Sequence, residues 1–98
     1  MFADVLKKFR DCVRKGKLVV TQHAFEEMND DDLLQVDVEH CILVGEIIER
    51  QWDVQWREWK YVVNGESTDG EIIEVVLKSG HSNNAVVITT YFYFVRLK

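Results

Sequence analysis

The sequence predicts one α+β domain, spanning residues 1–98, in which N-terminal helices pack on an antiparallel sheet. A chain of 98 residues with 47% hydrophobic residues is long enough for one core of two layers. Up to Gly45 the sequence predicts helices, from apolar spacing in the first and from boundary residues in the others, apart from one short β-branched run. From Glu46 onward, β-branched and aromatic segments alternate with turn residues, which is typical of strands.

The first element, within residues 1–17, is predicted to be a basic amphipathic helix. Its apolar residues follow the i, i+3, i+4, i+7 pattern of one helix face and are Phe2, Val5, Leu6, Phe9 and Val13. The basic residues fall largely outside this stripe. Gly16 is well placed to end the helix, because glycine readily adopts the left-handed conformation that follows a helix.

Residues 18–45 are predicted to contain a short strand and two helices. The strand covers Leu18–Thr21, and a helix follows over Gln22–Asn29 with Thr21 as its N-cap. The run Asp30–Asp32 breaks this helix. A further helix is predicted over Val36–Val44, with Gly45 at its end.

Residues 46–95 are predicted to form the antiparallel sheet, curved and with four to five strands. The predicted strands are Glu46–Trp52, Trp59–Val63, Glu71–Lys78 and Ala85–Val95. Side chains alternate between the two faces of a strand. In the last strand this predicts a core face of Val86, Ile88, Thr90, Phe92 and Phe94, and a more polar face of Val87, Thr89, Tyr91 and Tyr93.

Composition excludes several classes of protein. A net charge of −5 argues against general nucleic-acid binding, which usually needs a basic surface. No run of about 18 apolar residues and no signal-peptide pattern occurs, so no membrane contact is expected. Cys12 and Cys41 form no CxxC motif and predict free thiols in a reducing cytoplasm. The histidines and cysteines lack metal-ligand spacing, so neither a metal nor a cofactor is expected.

The charge is unevenly distributed along the chain. Residues 1–17 contain six basic side chains, Lys7, Lys8, Arg10, Arg14, Lys15 and Lys17, against two acidic ones. Residues 18–49 contain nine acidic side chains and no lysine or arginine. Such a division is usually a pair of solvated faces, and it could also orient a charged partner.

Two groups of residues carry candidate chemistry. His23 lies at a predicted helix start, where a histidine can be an acid or base near neutral pH or can have a structural role. The tryptophans of "QWDVQWREWKYVV" (Trp52, Trp56 and Trp59) could stack on bases beside Arg57 and Lys60, or could cover the end of the core.

Four motifs in order give the sequence a family resemblance. They are "TQHAFEEM", "VDVEHCILVGEIIE", "YVVNG" and "VVITTYF", over about residues 19–92. In this order they resemble a family of small, uncharacterised bacterial domains with a His-Ala, Gly-Glu-Ile-Ile-Glu and Ile-Thr-x-Tyr pattern. That family is usually grouped with the RelE/ParE toxins. The resemblance implies a RelE-like fold, with helices on a curved antiparallel sheet.

The resemblance also implies a site. RelE-like toxins cleave RNA at the ribosome, with basic and aromatic residues assisting the 2′-hydroxyl. By this likeness His23 and Tyr91 are the candidate catalytic residues, and the candidate substrate-binding residues are Thr89, Arg57, Lys60 and Arg96. Glu27, Asp31 and Asp32 occupy positions where the family commonly has arginine or an Arg-Gly pair, which replaces positive with negative charge.

Two functional hypotheses follow. In one, the protein is a toxin-like RNA-binding or RNA-cleaving domain, whose partners would be RNA or the ribosome and a cognate antitoxin. In the other, it is a non-catalytic module that binds a protein through its acidic helix or its tryptophans, or that forms a homodimer through a sheet edge. The negative net charge favours the second hypothesis, and a local basic cleft would favour the first.

Overall fold

The computed structural model describes residues 2–93, which form three helices and a five-stranded sheet. In chain order the elements are α1 (Ala3–Arg14), β1 (Leu18–Val20), α2 (Gln22–Asp30), α3 (Gln35–Val44), β2 (Glu46–Asp53), β3 (Glu58–Glu66), β4 (Ile72–Ser79) and β5 (Ala85–Phe92), with a 3₁₀ turn at His81–Asn83. The predicted α+β class is confirmed. None of the described helices is long and apolar enough to cross a membrane.

The sheet is mixed, and its order is β1-β5-β4-β3-β2. Strands β2 to β5 form an antiparallel meander, as predicted. β1, however, pairs with β5 in parallel, with Leu18 opposite Ala85 and Val20 opposite Val87. The expectation of a wholly antiparallel sheet is therefore corrected at one edge. The reason is the connection between β1 and β5, which is long and runs through two helices and three strands, so it does not force a hairpin.

The helices cover one face of the sheet and form the core with it. α3 packs on β3 and β4, α2 packs beside β5, and α1 packs against α3. The largest fully buried side chains of this core include Phe9, Ile42, Ile73 and Leu77. The other side of the sheet, called here the open face, includes Val62, Glu74 and Val76, which are buried but lie outside this core cluster.

A β-bulge changes which residues of β5 face the core. Leu77 pairs with Val87, but the preceding residue Val76 pairs with Thr89, so Ile88 has no partner of its own in this register. Val87 is fully buried, whereas the alternation had placed it with Thr89 on the polar face. Beyond the bulge the prediction agrees with the structure, because Thr90 is buried and Tyr91 is exposed. Phe94 and Val95, predicted as the end of this strand, lie outside the described residues.

Two glycines allow α3 to lie directly against the sheet. A Cβ atom built on Gly65 of β3 would lie 2.7 Å from the carbonyl oxygen of Cys41 and 2.9 Å from the Cα of Gly45. Neither neighbour is a flexible side chain, since both are backbone atoms. The close approach buries Cys41 completely, and this burial raises the pKa of its thiol to about 12. Both cysteines are free and buried.

Candidate functional site

His23 of α2 contacts a carboxylate one helical turn later. Thr21 caps α2, and its hydroxyl accepts the backbone N–H of Ala24 at 3.2 Å. This places His23 in the first turn, with 69% of its side chain exposed. Its Nε2 lies 3.4 Å from Oε1 of Glu27, at the i, i+4 spacing that puts two side chains on one helix face.

Glu27 links α2 to β5. The same Oε1 atom accepts hydrogen bonds from the hydroxyl of Thr89 and from the backbone N–H of Thr90. His23 therefore reaches the sheet through Glu27, and Thr89 contacts the carboxylate, not the imidazole ring. The family pattern presents Glu27 only as a replaced arginine and does not predict this role. An acidic side chain four residues after His23 was the available signal, but its contact with β5 depends on tertiary packing.

Tyr91 lies on the open face in a row of polar side chains. Asn64 on β3 pairs with Glu74 on β4, and Glu74 pairs with Tyr91 on β5. The amide of Asn64 donates to the Glu74 carboxylate at 3.0 Å. Partial burial is the main cause that raises the pKa of Tyr91, and together with the hydrogen bond and negative charge of Glu74 it raises the value to about 12. At neutral pH the phenol therefore keeps its proton and acts as a hydrogen-bond donor.

The electrostatic surroundings of Tyr91 are negative. Glu49 and Glu27, besides Glu74, contribute through their charge to its raised pKa. A phosphate placed beside Tyr91 would therefore have carboxylates as its charged neighbours, and these carboxylates would repel it. The part of the chain that the structure describes contains no group of three or more His, Cys, Asp or Glu side chains able to hold a metal ion.

The predicted phosphate-binding cations lie away from His23 and Tyr91. Lys60 is four residues along β3 from Asn64, a separation of roughly 13 Å in an extended strand. Its Nζ lies 3.5 Å from the carboxylate of Asp53. Arg57 is in the β2–β3 turn with a positive φ of 54°. Arg96 lies outside the described residues. The structure therefore groups His23, Thr89 and Tyr91 near one end of the sheet and places Lys60 and Arg57 toward the other.

The β2–β3 hairpin ends in an exposed cluster, which we call the tryptophan tip. Its members are Trp52, Val54, Trp56 and Trp59, together with Arg50 and Arg57. The four apolar side chains are 48%, 79%, 67% and 38% exposed, respectively. This exposure does not fit the alternative in which the tryptophans cover the end of the core. Among residues 2–93 the helices pack mainly on β3, β4 and β5, and the end of the β2–β3 hairpin is left exposed.

Contacts within the tip order two of its rings. Trp52 and Trp59 are cross-strand partners, with ring centroids 4.9 Å apart in an edge-to-face arrangement of 67°. The guanidinium of Arg50 lies 3.7 Å from the centroid of the Trp59 ring, which is a cation–π contact. Asp53 accepts the backbone N–H of Trp56 at 3.0 Å and fixes the turn.

One comparison with known proteins gives a match. A family model described as "Domain of unknown function (DUF4258)" matches residues 20–92. No curated protein and no solved structure matches the chain. The matched range begins at the last residue of β1 and ends at the last residue of β5, so it includes both the tryptophan tip and the His23 region, while α1 precedes it.

Proposed function

This chain belongs to the DUF4258 family of domains of unknown function, and we propose that it is a protein-binding module whose recognition surface is the tryptophan tip. The proposed partner is a protein segment that combines acidic and apolar side chains. The single observation that carries the proposal is the exposure of three tryptophans and a valine together at the end of one hairpin.

Apolar exposure of this kind is unusual away from interaction sites. Isolated exposed apolar residues are common, but contiguous patches mark surfaces that become covered. Val54 and Trp56 are the most exposed members, at 79% and 67%. Tryptophan and arginine are also the residues that most often dominate the free energy of binding at protein interfaces.

The tip is partly organised before any partner arrives. Trp52, Trp59 and Arg50 already contact one another, so their rotamers are restricted in the free protein. Ordering a rotamer-rich side chain on binding costs about 0.5–1.5 kcal/mol. The preformed stack avoids part of that cost and leaves Trp56 and Val54 as the side chains that a partner would cover.

The charges around the tip favour an acidic partner. The two carboxylates within residues 50–59 are each paired, Asp53 with Lys60 and Glu58 with Lys78. Within residues 2–93, Arg50 and Arg57 have no carboxylate within ion-pair distance. The uncompensated charge at the tip is therefore positive. The largely exposed aliphatic side chain of Val54 favours a protein over bases stacked on rings, and so does the net charge of −5.

Tryptophan fluorescence provides a direct test, because all three tryptophans of the chain are in the tip. Tryptophan-free peptides in which glutamate alternates with leucine would be titrated into the protein. Peptides with lysine in place of each glutamate are the charge control. We expect a saturable blue shift of the emission with the acidic peptides alone. Trp56→Ala should weaken this binding at least about tenfold, since it removes a central aromatic anchor.

The matched control variant is Val36→Ser, which changes a 53% exposed apolar side chain on α3, outside the tip. It should bind as the wild type does. Equal weakening by both variants, or no saturable shift with any acidic peptide, would overturn the proposal. A blue shift that grows with protein concentration alone would instead identify a second copy of the chain as the occupant. A shift with single-stranded RNA and with none of the peptides would favour nucleic acid.

A second candidate is toxin-like RNA cleavage, as the resemblance implies. It is favoured by the exposed imidazole of His23, which Glu27 holds beside Thr89 on the sheet. In that role His23 would be the acid or base and Tyr91 a proton donor. The candidate ranks second because carboxylates surround Tyr91 and because Lys60 lies toward the other end of the sheet. Its test is growth of a bacterial host after induction, and arrest by the wild type but not by His23→Ala would support it.

A further inference from the structure

A lysine-lined pocket lies between α1 and the turn that leads into β5. Its volume is about 250 Å³. The residues around it are Lys8, Asp11, Cys12, Lys15, Lys17 and Asn83. Three of these six carry a positive charge and one carries a negative charge. None belongs to the tryptophan tip or to the His23 region, so the pocket is independent of the function proposed above.

The sequence brings the three lysines together through the end of α1. Lys8 and Lys15 are seven residues apart, which places them on one face of the helix. Gly16 then adopts a φ of +69°, and the backbone N–H of Lys17 donates to the carbonyl of Cys12 at 2.8 Å. This turn is a Schellman motif, which folds the chain back over the last turn of the helix. Lys17 thus lies beside Lys15 and not beyond it.

The far side of the pocket is fixed to the same helix. The thiol of Cys12 donates to the backbone carbonyl of Asn83 at 3.4 Å, and the N–H of Ala85 donates to the carbonyl of Lys17 at 3.0 Å. These contacts join the end of α1 to the start of β5 on both sides of the lysines. These hydrogen bonds hold the two sides of this surface pocket against each other.

The lysines of this pocket lack carboxylate partners. Among residues 2–93, no Asp or Glu lies within ion-pair distance of Lys8, Lys15 or Lys17. The one carboxylate of the pocket, Asp11, is paired with Arg14 at 3.3 Å. Three lysines and one aspartate that is already paired leave the lining of the pocket with a net positive charge, which attracts an anion. The pocket is thus positive within a chain whose net charge is −5.

We propose that this pocket binds the phosphate group of a small phosphorylated ligand. Each ammonium is a compact charge with three rotatable donors, and three of them suit a group with several charged oxygen atoms better than a single carboxylate. A volume of about 250 Å³ lies just below the usual range for ligand pockets, which begins near 300 Å³, so the ligand is small. The three lysines precede residue 20 and lie outside the family match.

Backbone amide NMR tests this site with inorganic phosphate and a phosphate monoester, each titrated at constant ionic strength set with chloride. Saturable shifts are expected for the amides of Lys15, Gly16, Lys17 and Asn83. The double variant Lys15→Gln/Lys17→Gln should weaken binding about tenfold or more, because it removes two of three attractive charges. Its own amide spectrum shows whether it is folded.

Two further variants separate a site from a general charge effect. Lys7→Gln removes a lysine from the same helix that does not line the pocket, and it should leave the affinity unchanged. Asp11→Asn removes the one negative charge of the pocket and should strengthen binding. Shifts that never saturate, or an equal loss with Lys7→Gln, would overturn the proposal. Binding of a single-stranded oligonucleotide without binding of either phosphate probe would also overturn it.

Discussion

The carboxylate of Glu27 accepts the backbone N–H of Thr90, as a carbonyl of a neighbouring strand would do in the interior of a sheet. Strand β1 pairs with β5 only as far as Val87, so the N–H of Thr90 lies beyond the last residue that β1 can reach. Oε1 of Glu27 accepts that N–H at 3.2 Å and also accepts the hydroxyl of Thr89. Because an unpaired backbone group near the core is costly, Glu27 stabilises the edge of the sheet.

Glu27→Ala should therefore destabilise the fold. The substitution leaves the N–H of Thr90 without its acceptor, and we expect a loss of about 1–3 kcal/mol in the free energy of unfolding. Urea denaturation followed by circular dichroism would measure it. Glu26→Ala is the matched control, since Glu26 is exposed on the same helix. A loss no larger than that of the control would show that water replaces the carboxylate without cost.

His23→Ala should leave the stability nearly unchanged. With 69% of its side chain exposed and one contact at 3.4 Å to Glu27, His23 contributes little to packing. The expected change is within about 0.5 kcal/mol, as for most surface substitutions. Thermal unfolding of the two proteins side by side measures it. A loss of several degrees in Tm would instead assign His23 a structural role.

The order of helices and strands could be predicted because it depends on local patterns. Thr21 as N-cap, Gly16 as helix end and the strand starting at Glu46 all agree with the structure. These features depend on residues close in sequence, such as a capping hydroxyl or a period of 3.6 residues. A chain of this size leaves few ways to pack such elements, so the α+β class followed.

Features that depend on distant residues could not be predicted in this way. The bulge at Ile88 is set by the pairing of β5 with β4, and a period of two residues along β5 alone cannot show it. The contact of Glu27 with Thr90 joins residues 63 positions apart. The exposure of Trp56 depends on where the helices pack, which is mainly on β3, β4 and β5. In each case the deciding partner lies elsewhere in the chain.

Gly65→Ala should be strongly destabilising for a steric reason. The added Cβ would meet backbone atoms of Cys41 and Gly45 at 2.7 and 2.9 Å, so α3 would have to move from the sheet. We expect a loss of about 3 kcal/mol in the free energy of unfolding, measured by denaturant titration. Gly70→Ala is an informative comparison, because its φ of +82° is strained for alanine but its surroundings are open. That variant should lose only about 1 kcal/mol. Equal losses would contradict the steric account.

Asp37 should make the stability sensitive to acid. The side-chain hydrogen bond from Thr68 is the main cause that lowers the pKa of Asp37, and the N–H groups of Leu34 and Thr68 add to it. A lowered folded-state pKa gives stability that is present above the unfolded value of 3.8 and is lost as pH falls through the folded value. Asp37→Asn should therefore cost stability at pH 7, and the difference from the wild type should shrink below about pH 4.

Denaturant unfolding of both proteins between pH 7 and pH 2 measures this difference. Asp69→Asn is the control, because Asp69 is an exposed carboxylate in the turn beside Thr68. A difference between wild type and Asp37→Asn that stays constant with pH would mean that the neutral amide, and not the lost charge, explains the effect.

Tyr91 should affect stability at the opposite end of the pH scale. Its pKa is raised from 10.0 to about 12, mainly by partial burial and then by Glu74. As pH rises, the unfolded chain therefore loses the phenol proton of Tyr91 before the folded chain does. Between about pH 10 and pH 12 the folded state binds more protons than the unfolded state, so the stability falls as pH rises, and the effect levels off above pH 12. Tyr91→Phe cannot ionise and should lose this component, with a shallower decline of stability over the same range.

Absorbance at the tyrosinate band, taken as the difference between wild type and Tyr91→Phe, gives the titration of Tyr91 directly. A midpoint near the ordinary value of 10 would contradict the negative surroundings inferred for this side chain, and would remove the main electrostatic argument against RNA at this end of the sheet.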